Sequence, residues 1–213
     1  MSTRYTVIEQ ILRLIYGTQP NDDSSITFNL VNQWLNQAIG LAIKKNYTDN
    51  IQLDGVAYIN NAFYTSFSDI SITAVPNNNN SALYQLELPQ IPIALGKNEG
   101  IATLQFVSAE DKKTSHTAIP LSMNQVGYID SIRPIQNKIV YWNEGKYCFI
   151  KSTLLLSKYK AKVRMVSGGD ANDLDSTLII PDDYMPTIIE YVKAQLAFEE
   201  SRVIDTANDG NDH

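Results

Sequence analysis

Between residues 158 and 166 the chain alternates: Lys160, Lys162 and Arg164 fall on one parity, and Ala161, Val163 and Met165 on the other. Successive side chains of a strand point to opposite faces, so this segment reads as a β-strand with one wet face and one buried face. Such a strand cannot stand alone. It needs paired neighbours and something to cover its apolar side.

The neighbours are nearby in sequence. Residues 81–87, 101–107, 116–121, 138–142, 147–150 and 153–156 have strand length and composition, and Leu83, Gln85 and Glu87 lie in an alternating run. Turn signals at 98–100, 110–113, 143–146 and 168–170 separate them, and Asn143-Glu144-Gly145-Lys146 between Trp142 and Tyr147 is a hairpin signature. A sheet with one buried and one wet face is the antiparallel pattern, so the strands are predicted to pair antiparallel. Pro89, Pro92, Pro120 and Pro134 belong at strand ends or edges, because proline cannot donate into a central ladder.

On either side of this block the hydrophobic period is helical. The spacing of Val7, Ile8, Ile11, Leu12 and Ile15 predicts a helix over 6–16, with Thr6 and Glu9 as a capping box and Gly17 as its stop. After a polar loop at 18–25, Leu30, Val31, Trp34, Leu35, Ala38, Ile39, Ala42 and Ile43 predict a second helix over 27–47, with Lys44 and Lys45 at its negative end. Residues 54–66 read as a third helix through Val56, Ile59, Asn60 and Phe63. The same stretch holds Tyr58, Ile59, Phe63, Tyr64 and Phe67, which favour an extended chain. Residues 70–75 read as extended, and 77–80 as a loop.

A last helix is predicted from Tyr184, Ile188, Val192, Leu196 and Val203, its stripe widened by Ile189, Tyr191 and Phe198. Pro181 suits a first helical position, and Asp182 and Asp183 place negative charge at the positive end of the dipole. Residues 205–213 hold nothing that builds a core, so they read as a flexible tail or one ordered from outside the chain. The predicted class is therefore α+β: N-terminal helices and a C-terminal helix packed with a central antiparallel β-sheet or a small β-barrel or sandwich. The parts are a helical region 1–76, a β region 77–170, a helix 171–204 packing back on the helical region, and the tail.

Composition narrows the function classes. No apolar run approaches the roughly 18–20 residues of a membrane span, and no secretory signal pattern opens the chain, so neither membrane insertion nor export by that route is expected. The single cysteine, Cys148, fits a reducing compartment. The net charge of −6 hides an asymmetry. Residues 171–213 carry ten acids against Lys193 and Arg202, whereas 138–164 carry seven bases against Glu144. An acidic arm that includes Asp205 and Asp209, and a basic strand with Lys158, Lys160, Lys162 and Arg164, could pair between neighbouring copies; from charge alone, two ordinary solvated faces are the other reading.

The constellations that chemistry needs are missing. Gly168-Gly169 is followed by Asp170 and not by the lysine and hydroxyl of a phosphate loop. His116 and His213 have no spaced ligands beside them, and Cys148 sits in the strand-like Tyr147-Cys148-Phe149-Ile150, where thiols are usually buried. Asp182-Asp183 and Glu199-Glu200 are sequence neighbours and so do not face one site. Neither enzyme activity nor a cofactor or metal is expected. A basic strand with Tyr159 beside it could touch nucleic acid backbone, but a solvated or subunit-facing sheet is the better reading. The tyrosines and asparagines of the sheet leave open a carbohydrate- or host-binding module as the alternative.

Two stretches carry a resemblance: Val-Asn-Gln-Trp-Leu-Asn-Gln-Ala-Ile at 31–39, and the ending Ile-Pro-Asp-Asp-Tyr-Met-Pro-Thr-Ile-Ile-Glu-Tyr-Val-Lys-Ala-Gln-Leu-Ala-Phe-Glu-Glu-Ser-Arg at 180–202. With helices first and a strand-rich insert between, the chain resembles head-to-tail connector proteins of tailed bacteriophages, in particular the ring-forming adaptor of crAss-like, podovirus-type phages. The likeness spans most of the chain in layout but only 180–202 in motif, and the large β part departs from minimal all-helical adaptors. It implies a structural virion protein at the neck, assembled in the host cytoplasm as a homo-oligomeric ring of twelve copies. That ring would lie under the portal protein, contact further connector or tail proteins, and pass genomic DNA through its channel without specific binding. By position, the docking segment would comprise Tyr184, Ile188, Tyr191, Val192, Leu196, Phe198 and the tail.

Overall fold

The structure, a computed structural model, describes residues 3–16, 26–56, 58–76, 82–95, 100–128, 131 and 138–207. The predicted stop at Gly17, the loops 18–25 and 77–80, Pro134, Asp209 and the rest of 208–213 lie outside the described residues. The fold is α+β, with two compact units. Unit 1 is Met1–Phe63 with Gly168–His213, and unit 2 is Tyr64–Ser167, inserted into it.

In unit 1, helix α1 (Arg4–Tyr16) begins two residues earlier than its spacing predicts. The Thr3 hydroxyl, not that of Thr6, accepts at the helix start, from the Thr6 N–H at 3.3 Å, and Glu9 instead pairs with Arg13 one turn on at 2.6 Å. Helix α2 (Phe28–Asp54) is capped by the Thr27 side chain, which accepts from the Leu30 N–H, and ends at Gly55 in the left-handed region. It outruns its predicted end near residue 47 by two turns. Those turns carry little apolar periodicity, and side-chain bonds close them: Asn50 Nδ2 donates to the Tyr58 carbonyl at 3.1 Å.

The competing readings of 54–66 resolve against a helix: a 3₁₀ turn, Asn61–Phe63, leads into strand β1 (Tyr64–Ile70). Pro181 also lies outside its predicted helix. It precedes a 3₁₀ turn, Asp182–Tyr184, and helix α4 (Met185–Ala207) carries Pro186 in its first turn, where the missing N–H costs nothing; a four-residue helix, α3 (Met123–Val126), lies in unit 2. Ile188, Val192 and Leu196 of α4 are buried, α4 packs on α2 and α1, and Val31, Leu35, Ile39 and Ile43 supply the facing stripe of α2.

Unit 2 has two sheets. The remaining strands are β2 (Thr73–Val75), β3 (Ala82–Glu87), β4 (Ile101–Ser108), β5 (Ser115–Thr117), β6 (Ile119–Pro120), β7 (Val140–Glu144), β8 (Tyr147–Ser152) and β9 (Tyr159–Val166). One sheet runs β1-β9-β4-β5 and the other β2-β3-β8-β7-β6. Leu104, Phe106, Val163 and Met165 of the first share one buried cluster with Leu86, Tyr141, Cys148 and Ile150 of the second, so each sheet covers the other. The cover for the apolar face of β9 is thus a second sheet, the sandwich alternative of the sequence reading, and not the flanking helices.

Three local expectations are corrected. The strand predicted at 116–121 is two strands, β5 in one sheet and β6 in the other, with buried Ala118 at the switch. The β6–β7 pair is parallel in an otherwise antiparallel set, and Pro120 sits on that edge strand. The strand predicted at 153–156 is a bend and a 3₁₀ turn, Leu156–Lys158, held by the buried Tyr84 hydroxyl, which accepts from the Leu156 N–H at 3.2 Å. The predicted hairpin forms as read, with Glu144 opposite Tyr147 and Gly145 at φ 62° in the turn. Because Tyr64 and Val166 are paired, the first and last strands of the insert are neighbours and its two ends meet.

Candidate functional site

The residues singled out in the sequence fall into two sets, one in each unit. In α4, Ile188, Val192 and Leu196 are committed to the core of unit 1. Tyr184 is half-buried, its hydroxyl accepting from Asn46 Nδ2 at 2.8 Å and its ring edge-on to Phe63 at 5.1 Å. Tyr191 is half-buried and Phe198 is 60% exposed. Asp205 lies within α4, and Asp209 is outside the described residues.

In β9 the alternation gives the expected faces: Ala161, Val163 and Met165 are fully buried, while Lys160 and Lys162 are exposed and Arg164 is half-buried. The residues paired with these three bases are Val107, Gln105, Thr103 and Ser66, none of them acidic. The Arg164 guanidinium lies over the Tyr64 ring at 4.8 Å, and Lys160 Nζ donates to the Ser71 hydroxyl at 3.2 Å. Burial pushes the Tyr64 phenol up, against the pull of the Arg164 charge. Lys158 lies off this face, in the preceding 3₁₀ turn, with Glu110 at 3.6 Å.

The division into units sharpens the charge asymmetry. Unit 1 holds sixteen acids and six bases, a net −10, whereas unit 2 holds seven acids and eleven bases, a net +4. Unit 1 also exposes apolar side chains where α2 ends: Leu53 is 81% exposed, with Ile51, Val56 and Tyr58 exposed beside it in sequence. Ile51 and Leu53 lie beyond the last buried position of α2, Asn46, so that end of the helix is not used by the core.

A third feature went unread in the sequence. The Arg4 side chain is fully buried in unit 1 and donates to Gly168 O at 2.8 Å, Asn32 Oδ1 at 2.9 Å and Asn36 Oδ1. Its Nε–H has no partner, and among the described residues no carboxylate lies within ion-pairing distance. Burial holds its pKa below the usual arginine value, and the charge of Asp170 acts the other way. Beside Asn32 and Asn36 lies a cleft of about 450 Å³, lined on α2 also by Asn29 and Gln33 and on the returning chain by Asn172. The four carboxamides on α2, Asn29, Asn32, Gln33 and Asn36, recur at i, i+3, i+4 and i+7, so a polar stripe flanking the apolar one was the signal available in the sequence.

Cys148 is fully buried in the core of unit 2, and His116 stands edge-on to Tyr159 at 5.6 Å. Among the described residues no group of three His, Cys, Asp or Glu side chains could hold a metal ion, and no helix is long and apolar enough to cross a membrane. No family model matches the sequence, and no curated protein matches it either.

Proposed function

We propose that this chain is a structural subunit that assembles head-to-tail into a ring, acting as a connector at the portal vertex of a tailed phage. The observation that carries the assembly mode is the opposite net charge of its two folded units, −10 and +4. A chain with a cationic β unit and an anionic helical unit attracts its own copies heterologously, and a heterologous contact with a closing rotation makes a ring. The exposed apolar end of α2 supplies area for burial in such a contact. The phage setting, the portal partner and a count of twelve rest on the resemblance of residues 31–39 and 180–202. In a channel, the acidic unit would repel phosphate and let DNA slide, whereas a basic lining would grip it in a salt-dependent way. Negative-stain imaging of the purified chain tests the reading: closed rings support it, and a field of single particles of one-subunit size with and without portal protein opposes it.

One observation favours a second reading, a carbohydrate-binding module. On the outer face of the second sheet Trp142 and Phe149 are a directly opposed, stacked pair, 5.8 Å between ring centroids and 18° between planes, with Gln85 next in the row and Glu144 accepting from Trp142 Nε1 at 3.0 Å. A flat aromatic surface beside polar side chains suits a sugar ring. Glycan binding that Trp142→Ala abolishes would favour this reading, and its absence leaves the pair as a cross-strand contact that stabilises the hairpin.

A further inference from the structure

A carboxamide has one accepting end and one donating end, whereas a guanidinium only donates. Arg4 therefore takes the oxygen ends of Asn32 and Asn36 and fixes which way both amides face. The amino end of Asn32 is satisfied by the Ala171 carbonyl at 2.9 Å. The amino end of Asn36 has no partner among the described residues, and Asn36 is a half-buried residue of the cleft lining. These amides are held by a full positive charge that is removed from water and, among the described residues, has no carboxylate in ion-pairing contact, Asp170 acting on it only from farther off. None of the lining residues is acidic, although the unit that holds the cleft carries a net −10.

We propose that this cleft is a binding site for a carboxylate, received by the amino group of Asn36 and stabilised by the buried charge of Arg4, which holds the other end of that amide. A donor oriented in advance by a fixed cation loses little freedom on binding, and hydrogen bonds to an ionised acceptor are the strong ones. At about 450 Å³ the cleft has room for more than the carboxylate itself, so the ligand is the size of a dicarboxylic acid or an acidic side chain with its backbone. The site stands on unit 1 alone and needs no ring.

The test uses the full chain, labelled with nitrogen-15, and glutarate as the probe, followed through the side-chain amide signals. Saturable shifts of the Asn36 amide with glutarate, absent with neutral glutaramide and weaker with inorganic phosphate, are expected. Asn36→Asp keeps an oxygen for Arg4 and so keeps the fold, but it removes the donor and neutralises the cation. It should weaken glutarate binding by roughly tenfold or more, about 1.4 kcal/mol. Gln37→Ala, one residue along and outside the cleft, should bind as the parent does. Sedimentation with and without glutarate separates the sources: dissociation of an oligomer marks the carboxylate as another copy's side chain, and an unchanged mass with saturating shifts marks a free acid. No saturable shift, equal shifts with glutaramide or phosphate, or unchanged binding in the folded Asn36→Asp variant would overturn the proposal.

Discussion

The guanidinium of Arg4 donates to the carbonyl oxygen of Gly168 at 2.8 Å, joining the first turn of the first helix to the first residue after the inserted β unit. Two backbone bonds reinforce it, from the Arg4 N–H to Ser176 O at 3.0 Å and from the Tyr5 N–H to Leu174 O at 2.8 Å. The returning chain thus caps α1. Replacing Arg4 by leucine leaves three oxygens without their donor and should lower stability by about 1–3 kcal/mol, read as the midpoint of urea unfolding. Arg4→Lys should recover little of the loss, because an ammonium cannot span three separated acceptors as the planar fork does.

Asn46 is the corresponding hub at the other end of unit 1. Its amide donates to the Tyr184 hydroxyl, and its oxygen accepts from the Asn60 N–H at 3.1 Å and from Asn50 Nδ2 at 3.3 Å. Asn46→Ala should cost about 1–3 kcal/mol and Tyr184→Phe about 1 kcal/mol. The double variant should lose less than the sum, since both changes break the same bond; thermal unfolding of the four proteins measures the coupling.

Gly100 precedes β4 with φ at 81°, and an added Cβ would lie 2.4 Å from the Ile93 carbonyl oxygen. The same glycine's carbonyl accepts from the Val166 N–H at 2.8 Å, so the segment cannot move away without losing a sheet contact. Gly100→Ala is expected to destabilise by about 2 kcal/mol or more, whereas Gly127→Ala, where the added carbon meets nothing, should stay within about 0.5 kcal/mol.

Asp111 closes the turn between β4 and β5. Its carboxylate accepts from the Thr114 hydroxyl at 2.7 Å and from the N–H groups of Thr114 and Lys113, which lower its pKa from 3.8 to about 2. The unfolded chain therefore binds the proton more readily between those values, and stability rises with pH across that window. The contribution is complete above about pH 5 and is lost as pH falls toward about 2. The stability difference between the parent and Asp111→Asn should follow that curve and be flat from there to neutrality. A difference independent of pH would contradict the assignment.

Local chemistry was well marked in the residues, and long-range chemistry was not. The buried and wet parities of 158–166 and the Glu144–Tyr147 hairpin are both visible within a few positions of sequence. The identity of β1 was hidden because Tyr64 and Thr65 become strand residues only by pairing with Val166 and Met165, a hundred positions away. The run Leu154–Leu156 looks like a strand, yet only Leu156 is buried, and a tyrosine hydroxyl from β3 holds it in a turn. The predicted docking stripe of α4 was legible as apolar, but apolarity does not say which surface it covers, and here Ile188, Val192 and Leu196 face α2 and α1. The Arg4 cleft escaped because an arginine near a helix start reads as a surface residue and carboxamides carry no charge to count.

The head-to-tail account is tested most directly by the mass distribution of the full chain under native conditions. It predicts a ring-sized oligomer at about 0.05 M salt that falls apart at about 0.5 M, where charges are screened over a few ångströms. It also predicts that reversing the exposed Lys160 and Lys162 to glutamate, on the wet face of β9, abolishes the ring while leaving the fold intact. A one-subunit mass in every condition, or an oligomer indifferent to both salt and charge reversal, would contradict it.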